Sequence, residues 1–237
     1  MNNKTQNVLV KLTVEGVGIE GAVELPAGRS PRRELLPALR RSTDTIVGIA
    51  QERVESAGEQ VSCRKGCDAC CRQMVPLAPA EVFALAAYLD GLAPAKAAAV
   101  LERFDQAVEA LEEKGLAEAL RNRQGLSAAE MQALDRAYFA AQIACPFLED
   151  RACSIHEVRP LVCREYGVTS AAEFCVQPEG DKVRQVVLGA RVSQALMQSQ
   201  RGAEWVPLVL AREFAARHRE TITASPAEAL RGILKRL

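Results

Sequence analysis

Eight cysteines in two dense groups constrain this chain more than any other feature of its sequence. Four of them fall within nine residues, and the other four fall within about thirty residues further along. Residues 1–6 show no apolar stretch of the kind found in secretory signals, so we expect a reducing cytoplasmic setting, where stable disulfides are rare. Clustered cysteines in such a compartment indicate metal ligands. The candidate metal ligands are Cys63, Cys67, Cys70, Cys71, Cys145, Cys153, Cys163 and Cys175.

Charge and composition narrow the classes of partner. Thirty basic residues balance thirty acidic residues, which argues against nucleic-acid binding through an excess of positive charge. No apolar run approaches the ~20 residues that span a bilayer, so no membrane insertion is expected. Hydrophobic residues make up 49% of the chain but aromatic residues only 4%, which predicts an aliphatic core. A protein partner remains possible, and the sequence leaves the oligomeric state open.

The first thirty residues differ from the rest. Apolar and polar residues alternate over 8–14 and again over 19–25, which predicts a β-hairpin. The glycines at 16, 18 and 21 spell GxGxxG, a dinucleotide-binding fingerprint, but that fingerprint needs a helix directly after the loop. Pro26 and Gly28 come too soon for such a helix. We therefore interpret the glycines as the turn of the hairpin, centred on residues 16–18.

Helical patterns follow from residue 30 onward. The predicted helices cover about 30–57, 80–91, 94–122 and 127–141, with residues 182–222 mostly helical apart from a break near Gly202, and a last helix from Ser225. Ser127 and Glu130 match a capping box, and Ser170 with Glu173 form a second, shorter match. The predicted fold is mainly α with a short N-terminal β-hairpin.

Residues 1–29 are predicted to be a hairpin appendage, and residues 30–237 a helical cysteine-cluster metal-binding domain with its motif core at 63–175. The two cysteine-rich loops are separated by about 75 residues. They can converge on one metal centre if the intervening helices form a hairpin that returns the chain.

The first cysteine group forms a tight loop. Gly66 permits a left-handed backbone there. Arg64, Lys65 and Arg72 are expected to lower the pKa of the neighbouring thiols and so favour the thiolates that bind metals. The adjacent Cys70 and Cys71 are expected to point in different directions.

The second group has the order Cys-Pro-Phe-Leu from 145, Cys-Ser-Ile from 153 and Arg-Pro-Leu-Val-Cys-Arg from 159. Together with the first loop, these motifs resemble a bacterial cysteine-cluster family of zinc- or iron-chelating proteins named for a CxxxCxxCC signature. The resemblance covers about residues 63–165 and implies metal binding. The chain departs from the family pattern at Ala78, where Thr is usual, at His156, where Tyr is frequent, and after Arg164, where an aromatic residue and Pro usually follow.

Cysteine ligation suits an iron–sulfur cluster, with 4Fe–4S as the first choice, or Zn²⁺. The spacing Cys63-x₃-Cys67-x₂-Cys70 also equals that of radical SAM enzymes, but those usually have an aromatic residue at the position of Ala69 and place the motif in a β/α barrel. The predicted function is a cytoplasmic metal-binding protein. Two alternatives stay open: a redox or methyl-transferring enzyme with the cluster at its active site, by analogy with flagellin lysine methylases, or a zinc-stabilised protein-interaction module. No catalytic residue can be named.

Several residues near the cysteines have two interpretations. Arg159 and Arg164 flank Cys163 and are candidate cofactor-binding residues. In one interpretation they contact cluster sulfurs or a bound anion. In the other they bridge the loop by binding carbonyls and carboxylates. His156 is either a ligand or a neighbour of the ligands. Cys175 lies outside the densest motif and could be a core residue.

Overall fold

A computed structural model describes residues 4–176, 182–199 and 205–237. Within these residues the chain is mainly helical and begins with a β-hairpin, as predicted. The helices are α1 (Leu36–Ser56), α2 (Pro79–Asp90), α3 (Pro94–Glu113), α4 (Ala117–Arg121), α5 (Ala128–Ala140), α6 (Leu161–Glu165), α7 (Val192–Gln198), α8 (Ala211–Arg217) and α9 (Pro226–Leu234). Across the described ranges, no helix combines the length and apolar character that crossing a membrane requires.

In the described ranges, the strands form four separate antiparallel pairs. The hairpin consists of β1 (Thr5–Val14) and β2 (Val17–Pro26). The other strands have two residues each: β3 (Ser30–Pro31), β4 (Pro76–Leu77), β5 (Leu148–Glu149), β6 (Ala152–Cys153), β7 (Val206–Pro207) and β8 (Ile222–Thr223). β3 pairs with β8, β4 with β7, and β5 with β6. Two of these short pairs therefore join segments that are far apart in the sequence.

The hairpin turns at Glu15 and Gly16, whose φ angles are +52° and +82°. Two residues with positive φ are typical of the tight turns that match the twist of paired strands. The turn lies slightly earlier than the sequence predicted, because Gly18 already belongs to β2, opposite Thr13. A strand rather than a helix follows the glycines, which confirms the interpretation of GxGxxG as part of a hairpin.

One face of the hairpin is buried in the same hydrophobic core as the helices. Val8, Val10, Val14, Val23 and Leu25 are buried there. They share this core with buried residues of α1, α7 and α9. The boundary at residue 29 stays a prediction, since the hairpin and the helices bury apolar surface against each other.

Two helices have different boundaries in the structure from those that the sequence predicted. The first helix begins at Leu36 rather than near residue 30, because Ser30 and Pro31 pair with β8 and a 3-10 helix (Arg32–Leu35) follows them. The predicted helix over 94–122 is divided into α3 and α4. Gly115 lies between them with a φ of +67°, a conformation that ends a helix and favours glycine.

The region predicted as mostly helical over 182–222 contains much less helix in its described residues. Only α7, a 3-10 helix (Leu208–Leu210) and α8 fall within it, and the predicted break at Gly202 lies outside the described residues. The backbone of 184–186 pairs instead with the segment after Cys163: Thr169 N–H donates to Arg184 O at 2.9 Å, and Val186 N–H donates to Gly167 O at 2.8 Å. A helix there would lose these bonds.

The capping box at the start of α5 is confirmed. Ser127 Oγ accepts from Glu130 N–H at 3.3 Å, and the Glu130 carboxylate accepts from Ser127 N–H at 2.7 Å. Ser170, the second predicted cap, instead accepts from Arg184 N–H at 3.1 Å, and a 3-10 helix (Ala172–Val176) follows it.

Ser127→Ala is expected to lower the free energy of unfolding by about 1 kcal/mol, because an N–H at the helix start loses its side-chain acceptor. Urea denaturation measures the change. Ser56→Ala is the control, since Ser56 is exposed at the end of α1 and its hydroxyl only donates to Glu52 O. An equal loss in both variants would contradict a capping role.

Candidate metal centre

The two cysteine loops meet through their backbones. Cys145 N–H donates to Cys71 O at 2.7 Å, and Ser62 N–H donates to Val168 O at 2.8 Å. The first loop is thereby held at both of its ends by the chain that carries the second loop. The two loops are therefore in contact, and their convergence on one metal centre stays a prediction.

Local turns shape the first loop. Gly66 has a φ of +89°, the left-handed conformation that the sequence predicted. A 3-10 helix (Ala69–Arg72) follows and contains Cys70 and Cys71. Arg72 Nη1 donates to the Asp68 carboxylate at 3.1 Å across this turn. Arg72 is therefore engaged with a carboxylate inside the loop.

The second loop is fixed against α3. Arg103 Nε donates to Pro146 O at 2.7 Å, and the rings of Phe104 and Phe147 pack edge to face at a centroid distance of 5.4 Å. Both phenylalanines are buried. These contacts position Cys145 directly, and the β5–β6 hairpin that follows presents Cys153.

A buried carboxylate that the sequence did not single out links the loops. Glu81 accepts from Ala78 N–H at 3.0 Å and from Leu161 N–H at 2.8 Å. It thus joins the start of α2 to the start of α6, the helix that contains Cys163. Burial raises the pKa of Glu81, and the two N–H donors and Arg40 oppose that rise. A glutamate in the first turn of a helix is an ordinary capping signal, so the bond of Glu81 to Ala78 N–H could be predicted from the sequence. Its bond to Leu161 N–H, from a distant segment, could not.

A second buried carboxylate positions the other end of α6. Glu165 accepts from Ser193 N–H at 2.9 Å and from the Ser193 hydroxyl, at the beginning of α7. Its pKa is raised by burial, and the bonds from Ser193 oppose the rise. The helix that carries Cys163 is therefore attached at both ends by carboxylates.

The thiols of the two loops influence the pKa of one another, and Cys70 is among the causes in both loops. Cys70 contributes to the raised pKa of thiols from both loops, after burial as the first cause. These thiols are Cys63, Cys145, Cys153, Cys163 and Cys175. The pKa of Cys70 itself is raised, first by a hydrogen bond with the Cys71 thiol and then by burial. The adjacent thiols of Cys70 and Cys71 therefore contact each other, contrary to the expectation that they point apart.

Burial sets the protonation of these cysteines more than nearby cations do. The pKa of Cys145 is raised to about 12 by burial, with smaller contributions from Cys153 and Cys70. The pKa of Cys163 is also raised, again mainly by burial. The pKa of Cys63 and of Cys70 in the first loop is raised rather than lowered, and Arg64, Lys65 and Arg72 are not among its main causes. Arg159 opposes the rise in pKa at Cys63, Cys70 and Cys153, and Arg164 also opposes it at Cys153.

Cys175 lies against the first loop. Its side chain is buried with Ala69 and Val168, and Cys67 and Tyr166 pack at the edge of this small cluster. Its thiol is hydrogen-bonded to the Tyr166 hydroxyl, to which Gln73 Nε2 also donates at 3.4 Å. Cys175 is thus both a core residue and a neighbour of the first-loop thiols.

The two flanking arginines have different surroundings. Arg164 donates to the Asp44 carboxylate at 2.8 and 3.0 Å and to the backbone oxygen of Glu157. These contacts correspond to the loop-bridging interpretation. Arg159 has a buried Nε with no hydrogen-bond partner among the described residues.

The two histidines lie at exposed positions. His156 begins a 3-10 helix (His156–Val158), and its pKa is lowered first by the positive charge of Arg159. His218 stacks on Phe214 with a centroid distance of 4.0 Å. A groove of about 860 Å³ lies between α2, α3 and α8, and cysteines are absent from its described lining.

The comparisons with known proteins identify the cysteine region. The family model "CxxCxxCC: Putative zinc- or iron-chelating domain" matches residues 62–181, half of the chain. The chain belongs to this family. Searches of curated proteins and of solved structures found no match. The match extends beyond the resemblance over 63–165 and includes Cys175.

The family description fits the chemistry of the residues that the structure brings together. The donors around Cys70 are all sulfur, which suits both zinc and iron–sulfur centres. All eight cysteines are free. Within the described part of the chain, no three His, Cys, Asp or Glu side chains are arranged to hold a metal ion. The donors are thus of the right type, and the loops that carry them are bonded to each other through their backbones, but their side chains are not arranged around a common metal position in the described residues.

Proposed function

We propose that this chain binds a metal centre, an iron–sulfur cluster or zinc, through thiolates of both cysteine loops. The observation that supports it is the contact between the two cysteine loops, in which Cys145 N–H donates to Cys71 O at 2.7 Å. The proposed ligands are Cys63, Cys67, Cys70, Cys145, Cys153 and Cys163, and Cys71 and Cys175 are further candidates.

In metal binding, the protein would supply the sulfur ligands, hold the two loops in place and release protons from the thiols. Burial holds the thiols in their protonated form, so binding of a metal releases protons as thiolates form. The bond between Cys145 N–H and Cys71 O keeps the two donor loops together while this happens. An iron–sulfur cluster would supply electron transfer, whereas zinc would supply loop stabilisation. Because thiolate ligands require reduced cysteines, we propose a reducing compartment, the cytoplasm.

Protein purified without oxygen tests the proposal through its visible spectrum and its metal content. Broad visible absorption with matching iron and sulfide would establish an iron–sulfur cluster. A colourless protein with stoichiometric zinc would establish zinc. A protein that retains neither metal, and that takes up neither after incubation with zinc or with iron and sulfide, would contradict the proposal.

Removal of the metal should lower stability without unfolding the helices. Two of the hydrophobic clusters, one around the hairpin with α1 and α9 and one around α3 to α5, contain no cysteine among their described members. A ligand present at a hundredfold excess over its Kd stabilises by about 2.7 kcal/mol. We therefore expect a chelator to lower the melting temperature and to leave the far-ultraviolet circular dichroism unchanged. Loss of the helical signal at 25 °C would show instead that the metal is required for folding.

A further inference from the structure

The outer edge of β1 carries backbone groups that have no hydrogen-bond partner among the described residues, where β1 pairs only with β2. Along an antiparallel pair, residues whose N–H and C=O groups bond across the pair alternate with residues whose groups point outward. Ala27 N–H donates to Lys4 O at 2.8 Å in continuation of the hairpin register, so the alternation is counted from this bond. The outward-pointing groups of β1, which we call the β1 edge, belong to Thr5, Asn7, Leu9, Lys11 and Thr13.

The two edges of the hairpin differ in how they are protected against further pairing. Sheets protect a free edge with charges, with proline or with residues that pair poorly. On β2 the outward-pointing residues include Glu20 and Glu24, and the strand also contains two glycines and ends at a proline. On β1 the one charged residue is Lys11, which pairs with Glu20 across the hairpin, and the strand contains neither glycine nor proline. β1 is therefore the edge that can accept another strand.

Leu9 lies in the middle of the β1 edge. Its side chain is 57% exposed and lies on the solvent face of the hairpin, opposite Ala22. The helices cover the other face, where Val8 and Val10 are buried, and the side chains of the β1 edge are all exposed. An added strand would therefore reach the free backbone groups and would cover this leucine in the same step.

The β1 edge is complementary to a second copy of itself. Antiparallel pairing about a two-fold axis at Leu9 aligns outward-pointing groups with outward-pointing groups over the whole strand, because only odd-numbered residues then face each other. In this register Leu9 lies opposite its own copy, where the two side chains pack on the solvent face. Lys11 lies opposite Asn7 of the second copy, so the two lysines do not face each other. A register centred on Lys11 would place like charges directly opposite, which is destabilising.

We propose that two copies of this chain associate through their β1 edges and form a dimer with a continuous four-stranded sheet in the order β2-β1-β1-β2. Both outer edges of this sheet are then β2, the strand that carries Glu20 and Glu24. Because that edge resists further pairing, the assembly closes at two copies and does not grow into a fibre. The inference does not rest on the proposed metal binding, and either can fail without the other.

Sedimentation velocity of the full chain tests the proposal, from low micromolar to near-millimolar protein and with a reductant to prevent disulfides between copies. Leu9→Pro removes an outward-pointing N–H of the β1 edge, and Ala22→Pro is the matched control on the directly opposite residue of β2. Leu9→Lys and Ala22→Lys form a second pair that leaves the backbone intact. Circular dichroism shows whether each variant is folded, and hydrogen exchange of the wild type locates the protected amides.

The wild type is expected to dimerise with rising concentration. Leu9→Pro should be monomeric throughout, and Leu9→Lys should raise the dimer Kd about tenfold or more, because a leucine pair becomes a pair of like charges. Both Ala22 variants should dimerise like the wild type. At high concentration the amides of the β1 edge should exchange more slowly, and those of Gly18, Glu20, Ala22 and Glu24 should not.

A wild type that stays monomeric over the whole range would overturn the inference. So would a dimer that persists in Leu9→Lys, because the interface would then lie elsewhere on the molecule. An equal loss of the dimer in the Leu9 and Ala22 variants would also contradict it, since that result would not distinguish the β1 edge from the hairpin as a whole. If Leu9→Pro fails to fold, the two lysine variants decide between these outcomes.

Discussion

Replacement of Glu81 by alanine is expected to lower the free energy of unfolding by about 3–5 kcal/mol, the range for removing one partner from a buried charged interaction. The side chain is 4% exposed and accepts from two backbone N–H groups, of Ala78 and Leu161. Each bond to a charged acceptor contributes about 1.5–3 kcal/mol, and alanine would leave both donors and the nearby Arg40 without this carboxylate. Because Leu161 begins the helix of Cys163, metal affinity should fall as well.

Urea denaturation of the metal-free protein measures the effect, with Glu109→Ala as the control on the exposed face of α3, expected within about 0.5 kcal/mol of the wild type. Glu81→Gln keeps one acceptor oxygen and should lose less, about 1–3 kcal/mol. A loss in Glu81→Ala no larger than in the control would show that the two bonds do not stabilise the fold.

The same residue predicts a dependence of stability on pH. Burial raises the pKa of Glu81 in the folded state above its value in the unfolded chain. The folded state therefore binds this proton at a pH where the unfolded state has lost it, and its stability decreases as pH rises. The contribution of Glu81 should increase as pH falls from neutrality through the raised pKa, and level off below the ordinary pKa of glutamate, about 4.3. This contribution should be absent in Glu81→Gln, and a profile identical to the wild type would contradict the assignment.

Replacement of Cys70 by serine is expected to lower metal affinity by roughly a hundredfold or more. Structural zinc sites bind with about 10–16 kcal/mol, so one of four ligands corresponds to about 3 kcal/mol. Cys70 should have a large effect, because it lies in the 3-10 helix next to Cys71, whose backbone oxygen accepts from Cys145 N–H of the second loop. Metal content after purification and Zn²⁺ competition measure the loss.

Cys71→Ser is the adjacent matched variant. It removes a thiol that contacts Cys70 but leaves the backbone bond from Cys145 N–H to Cys71 O in place. We expect it to lose less affinity than Cys70→Ser. The reverse order would place Cys71, not Cys70, at the centre of the site, and circular dichroism of each metal-free variant confirms that folding is retained.

Local patterns account for what could be predicted. The alternation that predicts the hairpin and the Ser127–Glu130 capping box depend on residues within a few positions of each other, and both are observed. The left-handed Gly66 belongs to the same group, because its neighbours in the loop set its conformation. Predictions failed where backbone groups pair with a distant segment instead of forming a helix. Ser30 and Pro31 pair with β8, and residues 184–186 form backbone hydrogen bonds with residues 167–169.

The sequence by itself determined that eight thiols lie in two short groups on a mainly helical chain with a hairpin at its start, because spacing and periodicity are properties of neighbouring residues. Only the tertiary structure decided that Cys145 N–H bonds to Cys71 O, that Glu81 joins α2 to α6, and that Arg164 rather than Arg159 pairs with a carboxylate. Arg159 and Arg164 have the same chemistry and flank the same cysteine. What distinguishes them is Asp44 on α1, which pairs with Arg164, and burial, which leaves Arg159 Nε without a partner among the described residues. Burial and long-range pairing depend on the packing of the whole chain, and local spacing cannot encode them.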